Sequence, residues 1–168
     1  MSLSYYQLSV PVFLRSLNNL SKWLDKAVEH ATDNGTTIDE LLQARLAPDM
    51  YTLTGQIQAA SDASKLCTAR LAGVTPPSYS DTETTLEQLR ERIANTQAFI
   101  RSVTPEQYEA NAGKTVTLKT PSQEMIFSQQ DYLLNFAVPN FYFHLTTAYD
   151  ILRHNGVAIG KLDFLGGI

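Results

Sequence analysis

The chain has 168 residues and a formal net charge of −4; 43% of its residues are hydrophobic and 18% are charged. This length and composition predict a single folded domain spanning residues 1–168, because the chain can bury a substantial core without disulfides or metals. The thirteen Lys and Arg residues are scattered along the sequence. No clustered basic face is therefore expected, and a main role in binding nucleic acids is excluded.

Targeting and redox features favour a cytoplasmic protein. The N-terminus lacks the basic region and apolar run of a secretory signal, and no uncharged apolar stretch approaches the roughly 20 residues of a membrane span. Cys67 is the only cysteine, so no internal disulfide can form. Its neighbours Leu66 and Leu71 indicate a buried small hydrophobic residue rather than a nucleophile.

The first predicted helix carries apolar residues at alternating gaps of four and three, which is the helical period. These residues are Phe13, Leu17, Leu20, Leu24, Ala27 and Ala31. Pro11 has no N–H to donate, so the residues before it are either a kinked extension or a separate turn. Asn34-Gly35 predicts the end of the helix. Thr37 and Glu40 then have the spacing of a capping box, which predicts a short helical turn.

The second and third predicted helices have the same period. The second carries Leu53, Ile57, Ala60, Ser64, Cys67 and Leu71, and the third carries Leu86, Leu89, Ile93, Thr96, Ile100 and Val103. Gly73 predicts the end of the second helix, and Pro76-Pro77 opens a polar loop. After the third helix, Thr104-Pro105 predicts a further short turn, with threonine as the cap and proline at the first helical position.

The fourth predicted helix begins at Ser128, whose hydroxyl can cap it, and ends at Asn155-Gly156. Its apolar face consists of Leu134, Ala137, Phe141, His144, Ala148 and Ile151. We expect His144 to be buried, because it lies on this face. Pro139 lies inside the helix and predicts a kink.

The segment between the third and fourth helices has a different spacing of apolar residues. Residues 115–119 alternate in the period of a strand, residues 124–127 do so more loosely, and Pro121-Ser122 lies between them, which predicts a small β-hairpin. Four amphipathic helices with comparable apolar faces and connections of moderate length predict an all-α four-helix bundle with this hairpin between helices 3 and 4. The connections are long enough to permit crossovers, so the packing order of the helices stays open.

Two long runs of sequence carry a resemblance to an uncharacterised family. They are RLAPDMYTLTGQIQAASDASKLCTARLAGV at residues 45–74 and PNFYFHLTTAYDILRHNGVAIGKLDFLGG at residues 139–167. Over nearly its whole length the chain is similar to a domain-of-unknown-function family of the DinB/YfiT-like superfamily. The resemblance implies a DinB-like four-helix bundle, often dimeric. In many members it also implies a Ni²⁺ or Zn²⁺ ion held by three histidines, which some members use to activate thiols for transfer.

The chain departs from the ligand pattern that the resemblance implies, which is one histidine on the second helix and an H-x-x-x-H pair on the fourth. When the terminal Asn-Gly is aligned, His144 falls on the second histidine of the pair and Asn140 falls on the first. The second helix has no histidine, and the residues around the expected position are Gln56, Gln58, Ala59 and Asp62. A metal would need His144 and Asn140 joined by Asp62 or Gln56. Carboxylate and amide oxygens bind harder cations, but a set of asparagine, glutamine and histidine binds Zn²⁺ or Ni²⁺ poorly.

Three interpretations of His144 stay open. It is a neutral structural histidine bonded to Asn140, a tyrosine or a backbone carbonyl, part of a small-molecule pocket, or a metal ligand. The pocket residues would be His144, Asn140, Gln56 and Asp62. We expect a small-ligand-binding or non-catalytic protein without a metal cofactor. The alternative is a metal-dependent thiol transferase with substituted ligands around Ni²⁺ or Zn²⁺.

The fourth helix carries more aromatic residues than one apolar face can hold. These are Phe136, Phe141, Tyr142, Phe143 and Tyr149. Two explanations are open: the hairpin and the C-terminal residues Leu162, Phe164 and Leu165 cover them, or they form the interface of a homodimer. By resemblance to the superfamily's dimers, we expect a homodimer that pairs through its first and fourth helices.

Overall fold

The computed structural model describes residues 3–119 and 122–166. The elements in chain order are α1 (Tyr5–Asn34), α2 (Ile38–Gln43), α3 (Leu53–Ala72), α4 (Leu86–Ser102), α5 (Pro105–Ala110), β1 (Val116–Lys119), β2 (Glu124–Phe127), α6 (Gln129–Asp131), a π-helical segment (Tyr132–Ala137), α7 (Val138–His154) and α8 (Lys161–Leu165). The four long helices α1, α3, α4 and α7 form the bundle, and the antiparallel β1–β2 hairpin precedes the fourth of them. The predicted fold class is confirmed.

Helix boundaries fall at the predicted capping residues. Gly35 and Gly73 end α1 and α3 with φ angles of 66° and 69°, a left-handed conformation that glycine adopts without steric cost. The Thr37 and Glu40 capping box precedes α2. The Ser128 hydroxyl accepts a hydrogen bond from the backbone N–H of Asp131 at the start of α6. The hairpin forms over both predicted segments, although Pro121 in its turn lies outside the described residues.

The residues before Pro11 extend the first helix and do not form a separate turn. α1 starts from an N-cap at Ser4 and continues through Pro11. The proline removes the hydrogen bond that a residue at this position would donate to the Gln7 carbonyl. Val10 and Phe13, on either side of the proline, are buried in the core, and their burial compensates for the lost bond.

The core lies between the four long helices, and every residue predicted for the apolar faces of the first three is buried. The rings of Phe13 on α1 and Phe141 on α7 meet at a centroid distance of 4.8 Å. α4 and α7 each pack against both α1 and α3, and α1 also packs against α3. α3 therefore has neighbours on several sides, which explains why polar residues on it such as Ser61 and Thr68 are fully buried.

The fourth long helix differs from the prediction at its N-terminal end. Leu134, expected on the apolar face, is 50% exposed, whereas its neighbour Leu133 is fully buried. A π-helix bonds residue i to residue i+5 and so places more residues in each turn than an α-helix. Counting back from Ala137 with the α-helical period therefore predicts that Leu134 is buried, whereas the buried residue is Leu133. The π-helical segment ends at Ala137, two residues before Pro139, where the sequence predicts a kink.

The hairpin and the C-terminal helix cover part of the aromatic surface of the fourth helix. The Phe127 ring of β2 lies 6.0 Å from Phe136, and the Phe164 ring of α8 lies 5.6 Å from Tyr149. Phe143 stays 56% exposed, and Leu162 of α8 is 73% exposed. Within the described residues, no helix has both the length and the apolar character that crossing a bilayer requires.

Candidate functional site

A cavity of about 630 Å³ opens between α3 and the fourth long helix. Small residues at helical spacing on α3, namely Gly55, Ala59 and Ala63, leave room along one wall. The π-helical segment and α7 form the facing wall, and the hairpin closes one end. The volume lies within the range of pockets that hold small molecules. We call this cavity the α3–α7 groove.

The groove is long and has two chemically different ends. Its two walls run antiparallel, because His144 bonds to Gln56 in the first turn of α3 whereas Tyr132 bonds to Arg70 in its last turn. Arg70 follows Gln56 by 14 residues, which is about 21 Å along a helix that rises 1.5 Å per residue. A ligand could therefore contact one end only, or span both if it is elongated.

At one end, Gln56 fixes the tautomer of His144. The His144 Nδ1 atom lies 2.8 Å from Gln56 Oε1, and the Gln56 amide nitrogen donates to the backbone carbonyl of Tyr51 at 3.5 Å. A carbonyl oxygen only accepts, so the amide oxygen must be the atom that faces the imidazole. Nδ1 therefore carries the hydrogen and donates it, which leaves the lone pair on Nε2.

The surroundings of His144 favour its neutral form. Burial lowers its pKa, and the rings of Tyr51 and Phe143 lie 6.3 Å and 5.2 Å from the imidazole. Its Nε2 atom makes no hydrogen bond to any residue in the described ranges. The residue is half-buried on the groove wall, not buried in the core as predicted, because the core position beside it is occupied by Leu145. His144 is thus an available hydrogen-bond acceptor.

Asn140 lies one helical turn before His144 and lines the same wall. Its half-buried amide makes no hydrogen bond within residues 3–119 and 122–166. Asn140 and His144 therefore line one end of the groove, and Gln56, which is 1% exposed and does not line it, bonds to His144 from α3. The partner of His144 is Gln56 and not Asn140, a tyrosine or a backbone carbonyl.

Asp62 also lines the groove, but its carboxylate is already paired. Its Oδ1 atom lies 2.8 Å from Lys65 Nζ and 2.9 Å from Arg92 Nη2. The side chains of Lys65 and Arg92 are 4% and 1% exposed, and buried cations need a counter-charge. The main contacts of Asp62 are therefore with these cations.

The same arginine fixes the loop between α3 and α4 against the groove. Arg92 also pairs with Asp81 at 2.7 Å and with Glu83 at 2.9 Å, and Asp81 has a left-handed φ of 52°. Burial opposes the charge of Glu83, yet hydrogen bonds from Arg92 and Gln58 outweigh it, and the pKa of Glu83 is lowered. The ion pairs of Arg92 with these acids hold the loop along one rim of the groove, and we call them the clamp around Arg92.

At the other end of the groove, Arg70 Nη1 donates a hydrogen bond to the hydroxyl of Tyr132 at 3.0 Å. Tyr132 is 1% exposed, and burial raises the pKa of its hydroxyl to about 12, so the hydroxyl is protonated at neutral pH. Apolar side chains form the surrounding walls, among them Leu66, Leu118 and Phe136. This end offers hydrogen-bond donors beside an apolar surface.

The donor atoms around His144 do not form a usual site for Zn²⁺ or Ni²⁺. These metals favour imidazole and thiolate ligands, whereas the neighbours here are the amides of Gln56 and Asn140. Among the described residues, no three His, Cys, Asp or Glu side chains converge. Cys67 offers no alternative, because it is fully buried as predicted, and burial raises the pKa of its thiol.

Comparison with known families identifies the domain. The family described as "Domain of unknown function (DUF1993)" matches residues 5–165. The chain belongs to the DUF1993 family. A crystal structure of a DinB family member protein from Shewanella denitrificans superimposes on it with a TM-score of 0.90. That protein is 40% identical, and the match covers 97% of this chain and 92% of the other. No curated protein matches this DUF1993 chain.

The sequence of this DUF1993 domain points to only one end of the groove. Arg70 and Tyr132, at the other end, lie in two helices at positions 62 residues apart. No local motif marks either residue. The sequence shows that Arg70 lies on the same helix as Gln56, and this is its strongest hint of a role in the groove. Only the antiparallel packing of α3 against the fourth long helix shows that Arg70 contacts Tyr132.

Proposed function

We propose that the protein binds a small molecule in the α3–α7 groove and that His144 recognises it. The observation that supports this proposal is the hydrogen bond from His144 to Gln56, which orients the ring and keeps the lone pair on Nε2. A donor group of the ligand, N–H or O–H, would bind to that atom. The amide of Asn140, one turn away, would supply a second polar contact.

The proposal assigns no metal to the site. A neutral imidazole with two carboxamides is a suitable set for hydrogen bonding but a weak set for Zn²⁺ or Ni²⁺. The carboxylate of Asp62, which could strengthen metal binding, is already paired with Lys65 and Arg92. In the alternative function, a metal-dependent thiol transferase, a metal that used Asp62 as a ligand would compete with these ion pairs.

A fragment screen with a groove-filling variant tests the proposal. We expect fragments that carry an N–H or O–H donor to shift the His144 Nε2 resonance in ¹⁵N NMR spectra, because that atom accepts the bond. Ala63→Leu places a larger side chain in the groove and should abolish these shifts. Ala94→Leu makes the same change at an exposed position of α4 and should preserve them. Fragments that bind both variants equally would contradict the proposal.

We also propose that the protein forms a homodimer through the first and fourth long helices. Phe143 and Leu134 of the fourth helix stay 56% and 50% exposed after the hairpin and α8 have packed. Large apolar side chains that the monomer leaves exposed are typical of an interface between subunits. A two-fold dimer is the commonest arrangement, because it buries the same surface twice.

A further inference from the structure

The Arg70 guanidinium has unused hydrogen-bonding capacity at the end of the groove opposite His144. A guanidinium has five N–H donors, and within the described residues Arg70 donates only to the hydroxyl of Tyr132. It is half-buried, and no carboxylate in those ranges pairs with it. The other buried cations differ: Lys65 pairs with Asp62, and Arg92 pairs with three acids. Among the described residues of α3 and α4, Arg70 is therefore the partly buried cation that faces the groove without an acidic partner.

Tyr132 supplies a second donor beside the guanidinium. Its oxygen accepts the hydrogen bond from Arg70, so its own hydrogen is free to be donated, and no acceptor for it lies among the described residues. The ring is held in place by Phe136, stacked at 5.9 Å, and by Phe127 at 6.2 Å. Tyr132 lines the groove although it is only 1% exposed, and its oxygen is 3.0 Å from the Arg70 nitrogen. An anionic group bound by Arg70 would therefore lie beside the Tyr132 hydroxyl as well.

The walls next to this pair of donors are apolar. Leu66 lies one turn before Arg70 on α3, and Leu118 and Met125 come from the hairpin. Lys119 also reaches the groove, but its ammonium pairs with Glu124 at 3.3 Å. A ligand that places a charge at Arg70 would therefore lay an apolar portion along the hairpin.

We infer that this end of the groove binds the carboxylate of an elongated ligand with an apolar body, through Arg70 and the hydroxyl of Tyr132. The inference rests on the proposed function, because it concerns the same groove. One guanidinium matches one negative charge in a bidentate contact. A doubly charged phosphate fits less well, because the single guanidinium of Arg70 leaves one of its two charges without a partner.

Matched ten-carbon probes test the charge that the site prefers. We expect decanoate to bind in isothermal titration calorimetry, decanol to bind more weakly and decylamine not to bind. Arg70→Gln should weaken decanoate binding by about tenfold or more, which is typical for loss of a hydrogen bond to a charged group, and should leave decanol binding unchanged. Tyr132→Phe removes only the hydroxyl and should weaken decanoate binding by a smaller factor.

Two controls separate binding from folding. Arg153→Gln removes an exposed positive charge in the last turn of α7 and should leave decanoate binding unchanged. Arg70→Lys keeps the charge but not the bidentate geometry, so it should retain part of the affinity. A thermal melt of each variant checks that it is folded. If Arg70→Gln does not fold, the comparison with the wild type uses Tyr132→Phe.

Different outcomes separate this inference from the proposed function. Equal binding of decanoate and decanol, unchanged by Arg70→Gln, overturns the carboxylate site but leaves the groove as a ligand site. Tighter binding of decyl phosphate than of decanoate overturns the assignment to a carboxylate. Failure of all these probes to bind overturns the inference, while fragment shifts at His144 still decide the proposed function independently.

Discussion

His144 donates a hydrogen bond from Nδ1 to the side-chain oxygen of Gln56, across 88 residues of sequence and at a distance of 2.8 Å. In the superfamily that the chain resembles, a histidine is expected near this position of the second helix. Here the second helix supplies an amide, which accepts a hydrogen bond from an imidazole but is a poor ligand for Zn²⁺ or Ni²⁺. The pair forms a polar contact between α3 and α7, which is why we propose hydrogen bonding and not metal binding as its role.

Replacing His144 should destabilise the fold. His144→Ala leaves the oxygen of Gln56, which is 1% exposed, without its partner, and an unsatisfied buried acceptor costs about 1 to 3 kcal/mol. Urea denaturation would measure this loss in the free energy of unfolding. Thr146→Ala, an exposed position two residues away, is the control and should have little effect. A His144→Ala protein as stable as the wild type would mean that the contact is purely functional.

Acidification should weaken the clamp around Arg92. The pKa of Glu83 is lowered in the folded protein, so its ion pair stabilises the fold above the ordinary pKa of 4.5, and this stabilisation is lost as the pH falls through the lower folded value. Glu83→Gln should therefore be less stable than the wild type at neutral pH, and the difference should shrink in acid. Thermal melts from pH 7 to pH 3 would measure it. A difference that stays constant over this range would contradict the expectation.

Metal content discriminates between the two candidate functions. Protein purified without a His-tag should contain far less than one Ni²⁺ or Zn²⁺ per chain, because the ligands around His144 are amides. Inductively coupled plasma mass spectrometry would measure the content. One metal per chain that disappears in His144→Ala would favour the metal-dependent transferase. The same metal retained in His144→Ala would place it at another site.

The homodimer should be visible in solution. Sedimentation equilibrium at micromolar concentration should give a mass near twice the 18.7 kDa of the chain. Phe143→Ser, which removes an exposed apolar ring from α7, should shift the equilibrium towards the monomer, since less apolar surface is buried. A wild-type mass near 18.7 kDa would mean that the hairpin and α8 cover enough of the aromatic surface.

Much of the fold follows from local features of the sequence. Helical periodicity predicts the buried faces of α1, α3 and α4, and the positions Gly35, Thr37 and Gly73 predict where helices end and begin. These features are reliable because capping, backbone conformation and side-chain direction depend on residues within one or two turns. For the same reason the four-residue spacing places Asn140 and His144 on one side of the fourth helix, whereas Gln56 is named only because the family resemblance implies a ligand near its position.

Only the tertiary structure decides what those residues contact. The π-helical segment changes the phase of the fourth helix, so Leu133 is buried in place of Leu134, and no α-helical pattern contains that shift. The pairing of Asp62 with Arg92 and of Arg70 with Tyr132 joins positions 30 and 62 residues apart. Such contacts depend on how helices pack in three dimensions, because side chains far apart in sequence meet only after the backbone has been folded and the core has been filled.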